Sequence, residues 1–280
     1  MKYTFVVIML AALLALAGSH GGTQFQGVPV FAICALVAFA LQWLAFIPAY
    51  RLQTEKFYDL TGSLTFISLV VLALLLGDGI DTRSALLAAC VLAWALRLGS
   101  YLFSRILRDG GDTRFDHIKP VASRFFLTWT LQGLWVLTTS ASALAAMTAT
   151  GHTDLQWFDL AGVGLFLSGF AIEVIADQQK RRHRAQHGPD RFIDSGLWHY
   201  SRHPNYFGEI TLWCGITLLA VPALSGWQWI TLVSPVFVIV LLTRISGIPL
   251  LERKADERWG DDPNYRAYKK NTPVLVPRWH

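Results

Sequence analysis

The feature that most limits what this chain can become is its supply of long stretches almost without charge. Eight of them, at about residues 3–18, 28–50, 60–77, 84–104, 124–148, 156–177, 207–224 and 227–249, take up most of the 280 residues. The hydrocarbon core of a bilayer is crossed by about 20 apolar residues of helix, because without water the backbone must satisfy its own polar groups. The expected fold is therefore all-α, a polytopic transmembrane helix bundle of seven to eight spans. Composition points the same way: the chain is 53% hydrophobic and 15% charged, against about 25% charged in soluble domains. Too few charges remain to cover a globule, and residues 1–280 read as one membrane domain.

The loops set the orientation. Segment 105–124 holds Arg105, Arg108, Arg114, Lys119 and Arg124; segment 180–202 holds Lys180, Arg181, Arg182, Arg184, Arg191 and Arg202; the tail from Arg253 onward is equally basic. The alternate loops at 19–27, 150–155 and 223–226 carry no Lys or Arg, and 78–83 has only Arg83. Eight spans put every basic loop and both termini on one side, which the positive-inside rule makes cytoplasmic. The first stretch is short, and Ala15-Leu16-Ala17 before Gly18 resembles a signal-peptidase site, so a cleaved signal competes with a span there. We read it as a span.

This distribution also explains the net charge of +5 without nucleic acid, and membrane lipids are the expected surroundings. No obligate protein partner is evident. Cys34, Cys90 and Cys214 lie in apolar runs without C-x-x-C spacing, so neither a metal site nor a disulfide framework is expected. There is no Gly-rich phosphate loop, Walker motif or internal repeat.

Topology does not require ionisable residues inside spans, where they are costly and usually face a cavity or a partner. Arg97, Tyr101 and Arg105 recur at i, i+4 and i+8 on one face of the fourth span. Glu173 and Asp177 do the same on the sixth, continued by Lys180, Arg181 and Arg184, while Arg244 and Glu252 belong to the last span and its exit. Singly, Arg97 could pair with Glu173 and Arg244 could snorkel to headgroups. Together, on three spans at one depth, they fit a hydrated cavity whose Arg forks suit phosphate groups. The segment Gly196-Leu197-Trp198-His199-Tyr200-Ser201-Arg202-His203-Pro204-Asn205-Tyr206-Phe207-Gly208-Glu209-Ile210 adds to this. Pro204 keeps His203 extended and suits a helix start. That places Arg202, His203 and Asn205 near a helix N-terminus, which favours anions, with Glu209 about one turn further on.

That segment, with Tyr200, Asn205, Gly208 and Glu209, resembles the C-terminal signature of the steroid 5α-reductase family and its bacterial membrane relatives. The upstream Asp177…Arg184, the Arg97…Tyr101 pair and the tail Trp259-Gly260-Asp261-Asp262-Pro263…Tyr265…Tyr268…Pro273 fit as well. The resemblance covers about residues 90–280 and implies an integral protein of a bacterial inner membrane. It implies an NADPH-dependent reductase of an enone, usually a 3-oxo-Δ4 steroid, an apolar substrate entering from the bilayer. On this reading residues 84–280 form the cofactor site. Asn205 and Glu209 would hold the nicotinamide amide, Asp177 and Arg184 the adenosine and phosphate end, with Tyr200 nearby. Arg97, Tyr101 and Arg105 would line the opposite wall, and Arg181, Arg202, His203 and Arg244 complete the candidate set.

Residues 1–83 would supply the substrate end. There the family's Gln-Glu pair is interrupted, reading Gln53-Thr54-Glu55-Lys56-Phe57-Tyr58-Asp59; Trp94 stands where a Tyr is sought, and Ala255 replaces a tail Tyr. Negative charge grows on the carbonyl oxygen during hydride transfer, so a donor must be aimed there. Tyr58, or Glu55 if apolar surroundings keep it protonated, is the candidate, with Asp59 orienting. The plainer alternative is a turn whose acids pair with Arg51 and Lys56.

Two other functions share these residues. An S-adenosylmethionine-dependent methyltransferase of the isoprenylcysteine type carries a string similar to Arg202–Tyr206, but its cofactor has no phosphates to occupy the arginines. A non-enzymatic lipid-binding or transport protein predicts repeated halves or a helix broken at mid-bilayer.

Overall fold

The computed structural model describes residues 2–188 and 190–278 and groups the chain into two compact units, Met1–Trp157 with Ile216–Ser234, and Phe158–Gly215 with Pro235–His280.

Unit 1 contains α1 (Lys2–Gly18), α2 (Val30–Arg51), α3 (Tyr58–Leu76), α4 (Thr82–Asp109) and α5 (Ala122–Met147). It also takes the end of α8 (Pro204–Ala220) and the 3-10 turns Val221–Ala223 and Gly226–Leu232. A two-residue ribbon, β1 (Gln24–Phe25) with antiparallel β2 (Val28–Pro29), interrupts the all-α expectation between α1 and α2. Its turn, Gln26-Gly27, takes positive φ at both residues, the geometry that matches the twist of a tight hairpin.

Helix α5 is the centre of this unit, packed by α1, α2, α3 and α4. From Val136 to Met147 every residue is buried, and most are Ala, Ser or Thr. Between helices already out of water, close approach and hydrogen bonds replace hydrophobic drive. Small side chains permit the approach, and the hydroxyls are absorbed locally: Ser140 donates to the Val136 carbonyl at 2.7 Å, Ser142 lies 3.1 Å from the Thr217 hydroxyl, and Ser234 donates to the Thr139 carbonyl. Between α3 and α4, a Cβ on Gly99 would fall 2.6 Å from that of Ser63.

The single basic residue of the 78–83 loop is explained here. Arg83 is only 2% exposed, and its guanidinium donates to the carbonyls of Leu219 at 2.6 Å and Asp154 at 2.8 Å. It is a buried clamp on loop and helix-end carbonyls, not a loop charge.

Unit 2 contains α6 (Asp159–His187), α7 (Leu197–Tyr200), the first part of α8, α9 (Val233–Val240, from Pro235), a π turn (Leu241–Ile245), α10 (Ile248–Trp259) and α11 (Pro263–Asn271). Helices α6 and α8 meet backbone to backbone through glycine. A Cβ on Gly169 would sit 2.5 Å from the Leu212 nitrogen, one on Gly208 2.6 Å from the Gly169 carbonyl, and one on Gly215 2.6 Å from the Gly162 carbonyl.

Among the described residues six helices are long and apolar enough to cross a membrane, so the chain is an integral membrane protein with a helical, polytopic architecture. Two of the eight segments read as spans fall outside that group. Helix α1 is apolar but has only 17 residues, and α5 is long enough but carries hydroxyls and Gln132 through its core. The stretch read as a span at 227–249 is not one regular helix: it passes from 3-10 to α to π geometry and breaks at Ser246-Gly247 before α10. Helix α6 runs ten residues past the span read to 177, through Gln178–His187, and so carries the continuing stripe of Lys180, Arg181 and Arg184.

Candidate functional site

Each unit carries one cluster of the residues singled out in the sequence. In unit 1 it lies at the α2–α3 corner, where Gln53 adopts positive φ and Glu55 turns inward. Glu55 is 5% exposed; its Oε1 accepts the Asp112 N–H at 2.8 Å and its Oε2 accepts Lys119 Nζ at 2.6 Å. Burial pushes the Glu55 carboxyl up, but the Lys119 hydrogen bond and the Asp112 amide outweigh it and hold the group below the ordinary carboxylate range. Lys119 is raised in turn, chiefly by that bond. Glu55 is thus an ionised anchor for the 110–119 loop. Its partner is Lys119, in place of the Arg51 or Lys56 of the plainer reading.

The same corner carries an open polar hollow of about 300 Å³ lined by Gln53, Thr54, Lys56, Gly110, Asp112 and Lys119 among others. Arg114 closes on Asp112 through both carboxylate oxygens. Asp59 faces Arg105 at 3.5 Å, so a residue assigned to the substrate end and one assigned to the cofactor wall are neighbours. Tyr58 is enclosed by Phe115 and Trp129, ring centroids 5.1 and 5.0 Å away, and its hydroxyl donates to the Thr128 carbonyl at 3.1 Å. One turn apart on α4, the Arg97 guanidinium lies 5.2 Å from the Tyr101 ring centre.

In unit 2 the glycine contacts bring the polar ends of α6 and α8 together, and Asn205 Nδ2 donates to Asp177 Oδ1 at 3.3 Å. Glu209 follows Asn205 by one turn on the same face of α8. The preceding loop is held from three directions. Trp198 donates its indole N–H to the Ala176 carbonyl at 3.0 Å and lies under Lys180. Gln179 accepts the Leu197 N–H at 2.9 Å. The tail runs alongside: the Arg202 N–H donates to the Pro273 carbonyl at 2.9 Å, the Ser201 hydroxyl to Leu275 at 2.7 Å, the Arg278 N–H to Tyr200 at 3.1 Å, and the Tyr268 hydroxyl to Trp198 at 2.7 Å.

His203 is buried, stacks on Tyr206 and places Nε2 2.8 Å from Glu252 Oε1. Burial, the largest influence, lowers the imidazole pKa below its usual value despite the carboxylate. Glu252 also meets Arg202 at 3.4 Å and Lys269 at 3.5 Å. Of the remaining candidates, Tyr200 and Glu209 are half-buried, whereas Arg181 and Arg184 are exposed on the extension of α6 and Arg244 is exposed on the π turn. Sequence reasoning missed Lys119, Gln179 and Tyr268 as the groups that fix these loops. Their partners lie 64, 18 and 70 residues away, and no local pattern marks such pairs.

Fold and sites define a polytopic helical membrane protein with two loop-anchoring carboxylates. A family model described as a protein of unknown function (DUF1295) matches residues 45–272, and the chain belongs to that family. Over 236 residues it is 24% identical to an uncharacterized protein of Schizosaccharomyces pombe, covering 72% of this chain and 66% of that one. It is 30% identical to the rat 3-oxo-5-alpha-steroid 4-dehydrogenase 1 over 120 residues, 42% of this chain and 40% of the rat protein. The chain thus spans less than two thirds of the length of either relative. No solved structure matches it.

Proposed function

We propose that this protein is a membrane-embedded NADPH-dependent reductase that adds hydride to the conjugated C=C of a 3-oxo-Δ4 steroid or related apolar enone. The observation that carries the reading is the similarity to the rat steroid dehydrogenase. The residues of unit 2 are chemically suited to the cofactor. A nicotinamide carboxamide offers two N–H donors and one acceptor. Asn205 offers both kinds of group and Glu209 two acceptor oxygens, on one face of α8. Arg181 and Arg184 stand exposed where phosphates would be met.

When bound, NADPH supplies the hydride, and the protein contributes position and electrostatics. Asp177 orients Asn205 through their hydrogen bond. In unit 1, Tyr58 is the proposed donor to the substrate carbonyl, which requires its hydroxyl to leave Thr128. Asp59 and Arg105 set the local charge, while Glu55 holds the loop in place of donating. The basic loops and both termini are proposed to face the cytoplasm, the side from which the cofactor arrives.

The test is thermal stabilisation of detergent-purified protein by NADPH, NADH or S-adenosylmethionine. We expect NADPH to stabilise the wild type and not Asn205→Ala or Glu209→Ala. Stabilisation by S-adenosylmethionine alone would replace the reductase reading by the methyltransferase one. Given cofactor binding, Tyr58→Phe should retain it and lose reduction; full activity in that variant removes Tyr58 from the chemistry.

A further inference from the structure

The interior of unit 1 holds two glutamines that neither the fold nor the proposed chemistry explains. Gln42 on α2 is 0% exposed and Gln132 on α5 is 3% exposed. Both lie against α3. Gln42 Nε2 donates to Thr65 Oγ1 at 2.9 Å, and Gln132 Nε2 donates to the Tyr58 carbonyl at 3.0 Å. In neither case does the side-chain Oε1 reach a donor among the described residues, although both oxygens are fully buried.

The partners fix which end of each amide faces α3. The Thr65 hydroxyl gives its only proton to the Thr61 carbonyl at 2.7 Å, so it offers Gln42 a lone pair and demands an N–H. The Tyr58 carbonyl can likewise only accept. Both amides are locked with nitrogen toward α3 and oxygen away from it. A Cβ on Gly62 would come within 2.6 Å of Gln132 Nε2, so the absence of a side chain at that position is what admits the second amide. The residues they meet on α3, Thr65 and Tyr58, lie seven residues apart, about two helical turns.

A buried acceptor without a donor is unfavourable by more than an ordinary hydrogen bond is favourable, and in an apolar interior the mismatch grows. A ketone oxygen offers no relief, since it too only accepts. We infer that Gln42 and Gln132 are two acceptor points, either of which takes the proton of a hydroxyl carried by an otherwise apolar ligand that enters unit 1. This deepens the reductase reading, on which the ligand is the substrate: the molecule reduced would be a hydroxylated enone.

The test compares two probes that differ by one hydroxyl, 17β-hydroxyandrost-4-en-3-one and androst-4-en-3-one. Their binding to the full chain in detergent would be measured by equilibrium dialysis without NADPH. Satisfying one locked acceptor should make the hydroxylated probe bind about tenfold tighter. Gln42→Met or Gln132→Met, near in shape but without the acceptor, should bring the ratio close to one in at least one variant. A ratio near one in the wild type, including binding of neither probe, or a ratio unchanged in both variants, overturns the subsite; internal waters on the two amides predict that result. The wild-type ratio stands even if a variant fails to fold. Adding NADPH afterwards separates the two ideas. A preserved tenfold preference with neither probe reduced sinks the reductase reading alone, and reduction of both with equal affinity sinks the subsite alone.

Discussion

Glu55 in unit 1 gives one oxygen to the Asp112 amide and the other to Lys119, whereas Glu252 in unit 2 is met by His203, Arg202 and Lys269 together. The partners differ in what they have left. Among the described residues Lys119 can fall back on Asp116, at 3.2 Å. Arg202 also donates to the Lys269 carbonyl at 3.1 Å, and Lys269 also meets Asp256. One anchor is a single buried clasp, the other a node with alternatives. A short loop fixed by one charge pair should fail sharply, and a loop shared among many groups should fail gradually.

The largest effect should come from Glu55→Ala. It leaves a mostly buried ammonium and a backbone N–H without their main acceptor, and should cost about 3 kcal/mol in denaturant or thermal unfolding in detergent. Glu252→Ala should cost about 1 kcal/mol, because its cations keep other acceptors. Equal losses in the two variants would abolish the distinction.

Acid separates them next. The Glu55 carboxyl lies below its unfolded value, so its contribution is complete above about pH 4.3 and disappears as pH falls through the lowered value. Glu55→Gln should flatten that limb of the stability curve. His203 is also lowered, by burial, so the folded chain favours the neutral ring. Its contribution is complete above about pH 6.5 and is lost as pH falls below that. Wild-type stability should therefore decline as pH falls below about 6.5, where that of His203→Gln does not. Parallel curves for wild type and variant would remove His203 from the account. The smallest effect belongs to Asp59→Asn: its half-exposed pair with Arg105 should be worth about 0.5 kcal/mol or less, read from the same unfolding experiments.

Much of the helix plan was legible because apolar runs bounded by polar loops have few other solutions. The reading of 28–50 meets α2 at Val30–Arg51, and 60–77 meets α3 at Tyr58–Leu76. Apolar runs mark spans and not helix ends, and the two part company where polarity and helicity do. Helix α6 continues through Gln178–His187, whose residues are good helix formers but poor membrane ones, until Gly188 turns to positive φ. The π turn before Gly247 leaves no mark in hydropathy. At the sites, residue types were legible and partners were not. The Asn205–Asp177 contact depends on two helices meeting at glycines, and Glu55 chose Lys119 over its near neighbour Lys56. Distant pairing of this kind is decided by the fold as a whole.

The tail carries a consequence for how the protein is made. Ser201 hydrogen-bonds Leu275, 74 residues further along the chain, and Arg202 and Tyr200 pair with backbone of the same stretch. On the ribosome the loop bearing His203 and Asn205 emerges long before the segment that completes it. Its companion helices can already be in the bilayer while the loop still lacks its backbone partners. Assembly of this site is therefore a late event in synthesis, timed by translation of residues 273–278.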